Sequence, residues 1–190
     1  KTTSLRQWSA RLNEYAQTDA AEAELEYWRP LGQTVVAPLP VDLSGGDNTI
    51  ASTANVSREL DEQETGALLK EIPQAYKTQI NDALLTALAQ AFAGWTRQRQ
   101  LYLHLEGHGR DAFADDLDVS RTVGWCTTVY PVRLELPAIG EPSDALVTVK
   151  EQLRGILKHP WRYFGVLRDR LHDWIVAVLG SGLKEFQPVA

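Results

Sequence analysis

Residues 101–136, LYLHLEGHGRDAFADDLDVSRTVGWCTTVYPVRLEL, contain the pattern that decides the fold. In Leu101–Leu105, leucine alternates with tyrosine and histidine, which predicts a half-buried strand. Glu106, His108 and Arg110 follow at every second position, and the glycines between them allow a sharp turn. This arrangement predicts titratable groups at the rim of a sheet. The spacing alone also fits a surface turn with a solvated Glu-Arg pair.

The element before this strand is predicted to be the main helix of the core. Ile80, Leu84, Leu88 and Trp95 recur at helical spacing, so they share one face of a helix that begins near Thr78. We expect this face to be buried and the Leu101 run to be an inner strand of a mixed sheet. The helix over residues 143–157 is predicted to turn four apolar residues inward: Leu146, Val149, Leu153 and Ile156.

The remaining elements follow from capping residues, proline and β-favouring composition. Asp61 and Glu64 have the spacing of a capping box, and Pro30 and Pro73 each predict that a helix ends before them. Pro131 predicts an edge or a break in its strand. Helices are predicted over residues 4–17, 19–29, 61–72, 78–95, 143–157 and 161–171, strands over 49–60, 101–105 and 123–136, and a helix or strand over 172–180.

The composition is that of an acidic globular chain. A length of 190 residues with 44% apolar residues suits one domain or one large lobe, and a net charge of −6 argues against a nucleic-acid surface. No apolar run reaches the length of a membrane span, and no apolar signal-peptide core follows the N-terminus. The single Cys126 excludes an internal disulfide and a multi-cysteine zinc site. We expect a buried Cys126, no metal site and a reducing cytoplasmic setting.

Several ordered motifs carry a resemblance to a known family. EGHGR at 106–110, then DVSRTVGW at 118–125 and VYPV at 129–132, resemble the paired signature of the epimerization domains of nonribosomal peptide synthetases. These domains belong to the condensation-domain superfamily. Residues 73–95 resemble the helix motif that precedes this signature, and residues 1–17 resemble the helical segment between the two lobes of the domain. The resemblance extends from Lys1 to about Leu171.

The resemblance implies an α/β fold of a definite kind. We expect a two-layer sandwich, a chloramphenicol-acetyltransferase-like lobe with a mixed sheet and helices on one face. Residues 1–36 would be the connecting helices between lobes, residues 37–47 a loop or linker, and residues 48–190 a C-terminal lobe that is incomplete at its C-terminal end.

One motif of the superfamily is missing from this sequence. The family has a His-His-x-x-x-Asp-Gly motif at the end of its first lobe, but no two of His104, His108, His159 and His172 are adjacent. The resemblance therefore implies that the chain is the second half of a two-lobed domain. We expect it to be inactive alone.

The resemblance also implies a reaction and a catalytic residue. In epimerization domains the glutamate that matches Glu106, together with the first-lobe histidine, exchanges a proton at the Cα of an aminoacyl or peptidyl thioester. A partly desolvated carboxylate at a sheet edge suits this acid/base chemistry. The alternative role of Glu106 is a structural hydrogen bond to the loop.

The other candidate residues fall into two groups. We expect substrate contacts at Trp125, which would supply an apolar wall, and at His108 and Tyr130, although a structural role for His108 carries more weight. A salt bridge from Arg110 to an aspartate between 111 and 118 would fix the loop. The predicted structural loop residues are Gly107, Gly109, Arg110, Arg121 and Gly124.

No cofactor is expected to bind the chain directly, since the substrate would arrive on the phosphopantetheine of a peptidyl carrier protein. The other expected partner is the first lobe, and truncation predicts an exposed apolar face that self-associates or binds that lobe. Two alternatives remain open: the C-terminal lobe of an amide-forming condensation domain, and a catalytically silent lobe that docks carrier proteins.

Overall fold

The structure is a computed structural model that describes residues 2–32, 36–43, 45–46, 49–110 and 116–157. The elements predicted over residues 161–171 and 172–180 lie outside the described residues. The helices are α1 (Leu5–Tyr15), α2 (Asp19–Gly32), α3 (Glu62–Gly66), α4 (Ile72–Tyr76), α5 (Ile80–Thr96) and α6 (Pro142–Leu157), with a 3₁₀ turn at Ile50–Ser52, a π turn at Ala67–Glu71, and the strands β1 (Gln100–Gly107) and β2 (Thr128–Glu135).

The chain divides into two compact units, each assembled from separate stretches of sequence. Counting only the described residues, one unit is drawn from residues 2–36, 102–133 and 154–157, and the other from residues 37–101 and 134–153. Most of β1 and β2 therefore belongs to the first unit together with α1 and α2, and α3 to α5 belong to the second.

Capping residues begin the helices as the sequence predicts, but the prolines do not end them. Ser4 caps α1, and Asp61 caps α3 in a capping box with Glu64. The prediction that α2 ends before Pro30 is wrong, because α2 continues to Gly32. So close to the end of a helix, a proline removes only one N–H donor from the ladder.

Pro73 was also expected to interrupt its helix, and instead the chain continues helically to Tyr76. The π turn at Ala67–Glu71 directly precedes the segment that contains Pro73. A proline ring clashes with the carbonyl four residues earlier and offers it no N–H. A π turn changes the hydrogen-bond register there, so the helix can absorb the proline.

The strand predicted over residues 49–60 is not present. The structure has a 3₁₀ turn at Ile50–Ser52 and no sheet pairing in the rest of this segment. Ile50 and Val56 are almost fully exposed. Strand propensity expresses packing against neighbouring strands, and the described residues provide no neighbour here.

The strands β1 and β2 pair in a two-stranded sheet. Gly107 at the end of β1 lies against Thr128 at the start of β2, so the strands are antiparallel. Thr128, Tyr130 and Val132 are buried on one face, while β1 is half-buried. Within the described residues both strands are edge strands, and the structure there does not show the inner position expected of β1. An edge position also explains why Pro131 does not break β2.

Helix α5 differs most from its prediction. Leu84, Leu88 and Trp95 are exposed and Ile80 is only partly buried, whereas α5 buries Thr86 and Ala89. The inward face predicted for α6 is confirmed, because its four apolar residues are all buried: Leu146, Val149, Leu153 and Ile156.

Candidate functional site

The candidate site begins with Glu106 near the end of β1. Glu106 and His104 are exposed, and alternation places them on the face of the sheet opposite the buried residues of β2. Val129 and Arg133 of β2 are exposed on this same face. Among the described residues, the Glu106 carboxylate has no hydrogen bond or ion pair. It is more solvent-exposed than the partly desolvated group that the sequence suggests, and it is accessible to a ligand.

Gly107 and Tyr130 lie on the other side of the sheet. A Cβ added to Gly107 would approach the Thr128 hydroxyl to 3.3 Å and the Tyr130 ring to 3.5 Å. Tyr130 is buried. The structure therefore does not bring Tyr130 and Glu106 to one face, and a substrate contact by both requires different surfaces of the strand pair.

Gly109 turns the chain where no other residue fits. Its φ is +63°, and a Cβ at this position would lie 1.6 Å from the carbonyl oxygen of Cys126. L side chains rarely adopt this backbone conformation. Gly109 thus lets the segment that follows Glu106 pass directly against the backbone that leads into β2.

Arg110 fixes this close approach through its guanidinium group. It donates hydrogen bonds to the carbonyl oxygens of Val119 at 2.9 Å, Thr122 at 2.7 Å and Gly124 at 3.0 Å. Three carbonyls in one short loop require a planar, multidentate donor, which only arginine provides among the side chains.

The salt bridge expected from Arg110 is therefore not formed with either of the described aspartates, Asp116 and Asp118. Asp116 pairs with Arg11 at 3.1 Å, and Asp118 accepts hydrogen bonds from Ser120. Asp111 and Asp115 lie outside the described residues. Within the described residues the guanidinium binds backbone carbonyls, because the loop turns these oxygens towards it.

His108 takes part in the turn through one ring nitrogen. The backbone N–H of Arg110 donates to Nδ1 of His108 at 3.0 Å. His108 is exposed. Nδ1 is the acceptor of this hydrogen bond, which orients the imidazole two residues beyond Glu106.

The loop before β2 is anchored at both ends. The Ser120 hydroxyl donates to Asp118 at 2.6 Å, and this hydrogen bond holds the pKa of the Asp118 carboxyl below its usual value. Arg121 is exposed. Gly124 has a φ of +153°, which L side chains rarely adopt, and a Cβ there would approach the Leu5 side chain to 2.7 Å, so Leu5 would have to shift.

Trp125 and Cys126 point to opposite environments. Trp125 is 84% exposed and its neighbour Val123 is 94% exposed, so this loop presents apolar surface to solvent. Cys126 is buried in a cluster with Trp8, Leu12 and Val119, as expected of a small apolar residue. The structure thus gives Trp125 the accessibility that a substrate wall needs.

Thr3 is a contributor to this loop that the sequence reasoning missed. Its N–H donates to the Asp118 carbonyl at 2.7 Å, its hydroxyl accepts from the Asp118 N–H, and its carbonyl accepts from the Thr122 hydroxyl. No local pattern predicts contacts between residues more than a hundred positions apart. The alternation of β1, by contrast, could have identified His104 as a neighbour of Glu106.

Two further properties concern only the described part of the chain. No group of three or more histidine, cysteine, aspartate or glutamate side chains there could hold a metal ion. No helix there is long and apolar enough to cross a membrane.

The sequence model of the condensation domain matches residues 1–175. The chain belongs to the condensation-domain family. The superfamily recognised from EGHGR and DVSRTVGW is thereby confirmed, and the described residues have the mixed helix and sheet content expected of an α/β protein.

Relatives are found among peptide synthetases. A linear gramicidin synthase of Brevibacillus parabrevis is 45% identical over 168 residues, which are 88% of this chain and 2% of that protein. Chondramide synthase of Chondromyces crocatus is 50% identical over 159 residues, 81% of this chain and 4% of that protein. The chain thus spans a very small part of these relatives.

Two solved structures relate the chain to part of a single domain. The epimerization domain from the third module of tyrocidine synthetase B has a TM-score of 0.78 and 34% identity, covering 96% of this chain and 41% of that one. The first condensation domain of the calcium-dependent antibiotic synthetase, solved with a substrate analogue, has a TM-score of 0.66 and 21% identity, covering 93% of this chain and 38% of that one. The second likeness shows the fold alone.

Proposed function

We propose that this chain is the C-terminal half of a nonribosomal peptide synthetase epimerization domain. The intact domain inverts the Cα of an aminoacyl or peptidyl thioester by acid/base proton exchange. The observation that carries the proposal is the exposed Glu106 carboxylate. It lies one residue before the end of β1, has no partner among the described residues, and precedes a turn fixed by Gly109 and Arg110.

The likeness to an epimerization domain supports this choice over amide formation. That structure has 34% identity and a TM-score of 0.78, against 21% and 0.66 for the condensation domain. In a condensation domain the histidine of the first lobe would carry the chemistry, and Glu106 would be dispensable.

Inversion requires two proton-exchanging groups, one on each side of Cα. Glu106 would take the proton from one face or return it there, and the paired-histidine motif, which this sequence lacks, would act on the other face. Removal of the proton breaks the C–H bond on one face and forms an O–H or N–H bond; return of a proton to the other face breaks an O–H or N–H bond and forms the new C–H bond. The 190-residue chain alone is therefore expected to be inactive.

Two exposed surfaces suit the partners of such a domain. Trp125 with Val123 would form one wall for the substrate carried on the phosphopantetheine of a carrier protein. The apolar face of α5, with Leu84, Leu88 and Trp95, would be covered by the rest of the domain or by self-association. We retain the proposed layout of residues 1–36 as connecting helices, 37–47 as linker and 48–190 as a sandwich-type lobe.

The test is deuterium exchange at Cα of a carrier-loaded amino acid in heavy water. The intact domain should exchange, and Glu106→Gln, which keeps the shape but cannot titrate, should reduce the rate by roughly 10²–10⁴-fold. Binding of the carrier protein should stay unchanged.

Several outcomes would count against the proposal. Full exchange by Glu106→Gln would remove Glu106 from the reaction. Amide formation without exchange would favour a condensation domain, and carrier binding without either activity would favour a silent docking lobe. Exchange by the 190-residue chain alone would contradict the need for a second group.

A further inference from the structure

The exposed face of β1 carries a second titratable group next to Glu106. His104 and Glu106 are two residues apart and both exposed, so their side chains project from the same face. At about 3.3 Å of rise per strand residue, their Cα atoms lie roughly 6.6 Å apart. Among the described residues neither side chain has a hydrogen bond or ion pair, so both can bind water or a ligand.

The charged neighbours of this pair are few in the described part of the face. Arg133 of β2 is exposed there. Burial raises the pKa of Tyr27 in α2, and the charge of Arg133 acts in the opposite direction. Arginine does not give up its proton in proteins, and tyrosine titrates far above neutrality. Histidine is the side chain that exchanges protons readily near neutral pH. His104 is thus the neighbour able to trade protons with Glu106.

We propose that His104 relays protons between Glu106 and solvent, an inference that rests on the proposed epimerization. When Glu106 has taken the proton from Cα, it must lose it before it can act again. The O–H bond at Glu106 breaks and an N–H bond forms on the His104 imidazole, directly or across one water. The imidazolium then releases this proton to bulk water, and the reverse path loads Glu106.

His108 is less suited to this role although it is closer to the turn. Its Nδ1 already accepts the Arg110 N–H at 3.0 Å, so protonation at that atom would break a hydrogen bond that shapes the turn. His104 is an exposed residue of the regular strand β1, and among the described residues its ring has no such contact that proton transfer would have to break.

The test uses the intact domain and Cα deuterium exchange of a carrier-loaded amino acid in dilute, non-imidazole buffer. His104→Gln keeps a polar side chain of similar size and cannot relay a proton. We expect the exchange rate to fall about tenfold, less than the roughly 10²–10⁴-fold loss of a group that acts on Cα itself. Added imidazole should restore most of the rate, leave the wild type nearly unchanged and fail to rescue Glu106→Gln.

The possible failures are distinguishable. An unchanged rate in His104→Gln, beside an active wild type and an inactive Glu106→Gln, would overturn the relay alone. A lower rate that imidazole does not restore, in a variant with the thermal midpoint of the wild type, would also overturn it. Absence of exchange in the wild type would overturn the proposed function and the relay together.

Discussion

Helices α5 and α6 have the same kind of apolar repeat, yet only one of them buries it. The four apolar residues at helical spacing in α6 are all buried. The corresponding residues of α5, Leu84, Leu88 and Trp95, are 48%, 40% and 53% exposed. The difference shows that periodicity identifies which residues share a face and leaves open what covers that face.

The apolar face of α5 is exposed because the helix packs through its opposite side. At about 100° per residue, Thr86 and Ala89 lie across the helix from Leu84 and Leu88. These two small residues are buried. Helix α5 therefore has a face of large apolar residues and an opposite face of small residues, and the described chain covers the face with small side chains. An exposed stripe of large apolar residues on a helix marks a surface that another element covers, which agrees with the proposal that the chain is half of a larger domain.

The largest expected difference in unfolding free energy is between two glycine-to-alanine substitutions, one at a tightly packed position and one at an open position. Gly109→Ala should lower the free energy of unfolding by about 4 kcal/mol, because it combines a left-handed backbone with a Cβ placed against the Cys126 carbonyl. Urea unfolding would measure the loss.

The matched control is Gly94→Ala in α5, where nothing lies within 4 Å of the added Cβ. It should raise the free energy of unfolding by up to about 1 kcal/mol, since alanine favours a helix over glycine. Equal effects at the two glycines would contradict the packing of the Gly109 turn.

The two helices can be compared directly through one pair of leucines. Leu146→Ala in α6 should cost about 3 kcal/mol, because the side chain is 8% exposed and its removal leaves a cavity. Leu88→Ala in α5, at 40% exposure, should cost under about 1 kcal/mol in the 190-residue chain. In the intact domain the cost at Leu88 should rise towards that at Leu146. A low cost in both contexts would mean that the exposed face of α5 has no partner in the domain.

These contrasts explain how far the sequence predicts the fold. Capping by Ser4 and Asp61 and the inward face of α6 depend on contacts within a few residues or on one helix face, and all were predictable. The ends of helices near Pro30 and Pro73 were not, because a π turn or a nearby helix end absorbs a proline at a cost that the local sequence does not reveal. The strand predicted over residues 49–60 would need a neighbouring strand, and the described residues do not provide one.

The candidate site likewise has features that the sequence predicts and features that it does not. The residues of EGHGR and their order follow from sequence, and so does the shared face of His104 and Glu106. The partners of Arg110 cannot be predicted from sequence, because they are backbone carbonyls, which every residue has. Burial of Tyr130 away from Glu106 depends on strand register, which alternation fixes only once the pairing of β1 with β2 is known.

The smallest expected effect tests the loop that Arg110 clamps. Ser120→Ala removes the hydroxyl that donates to Asp118 at 2.6 Å. This hydrogen bond lowers the pKa of Asp118 in the folded state below its unfolded value. A depressed folded pKa contributes stability above the unfolded pKa of about 3.9, and the contribution is lost as the pH falls through the folded pKa.

Ser120→Ala should therefore shift the urea midpoint slightly downward at pH 7, and the difference from wild type should shrink below about pH 4 as Asp118 protonates. Asp118 is exposed, so solvent screening keeps the effect small. Ser57→Ala, in an exposed segment without sheet pairing, controls for the general effect of losing a serine hydroxyl. A Ser120→Ala difference that stays constant from pH 7 to pH 3 would mean that the hydroxyl acts through the turn geometry. The charge of Asp118 would then contribute nothing to holding the loop against which Arg110 fixes the end of β1.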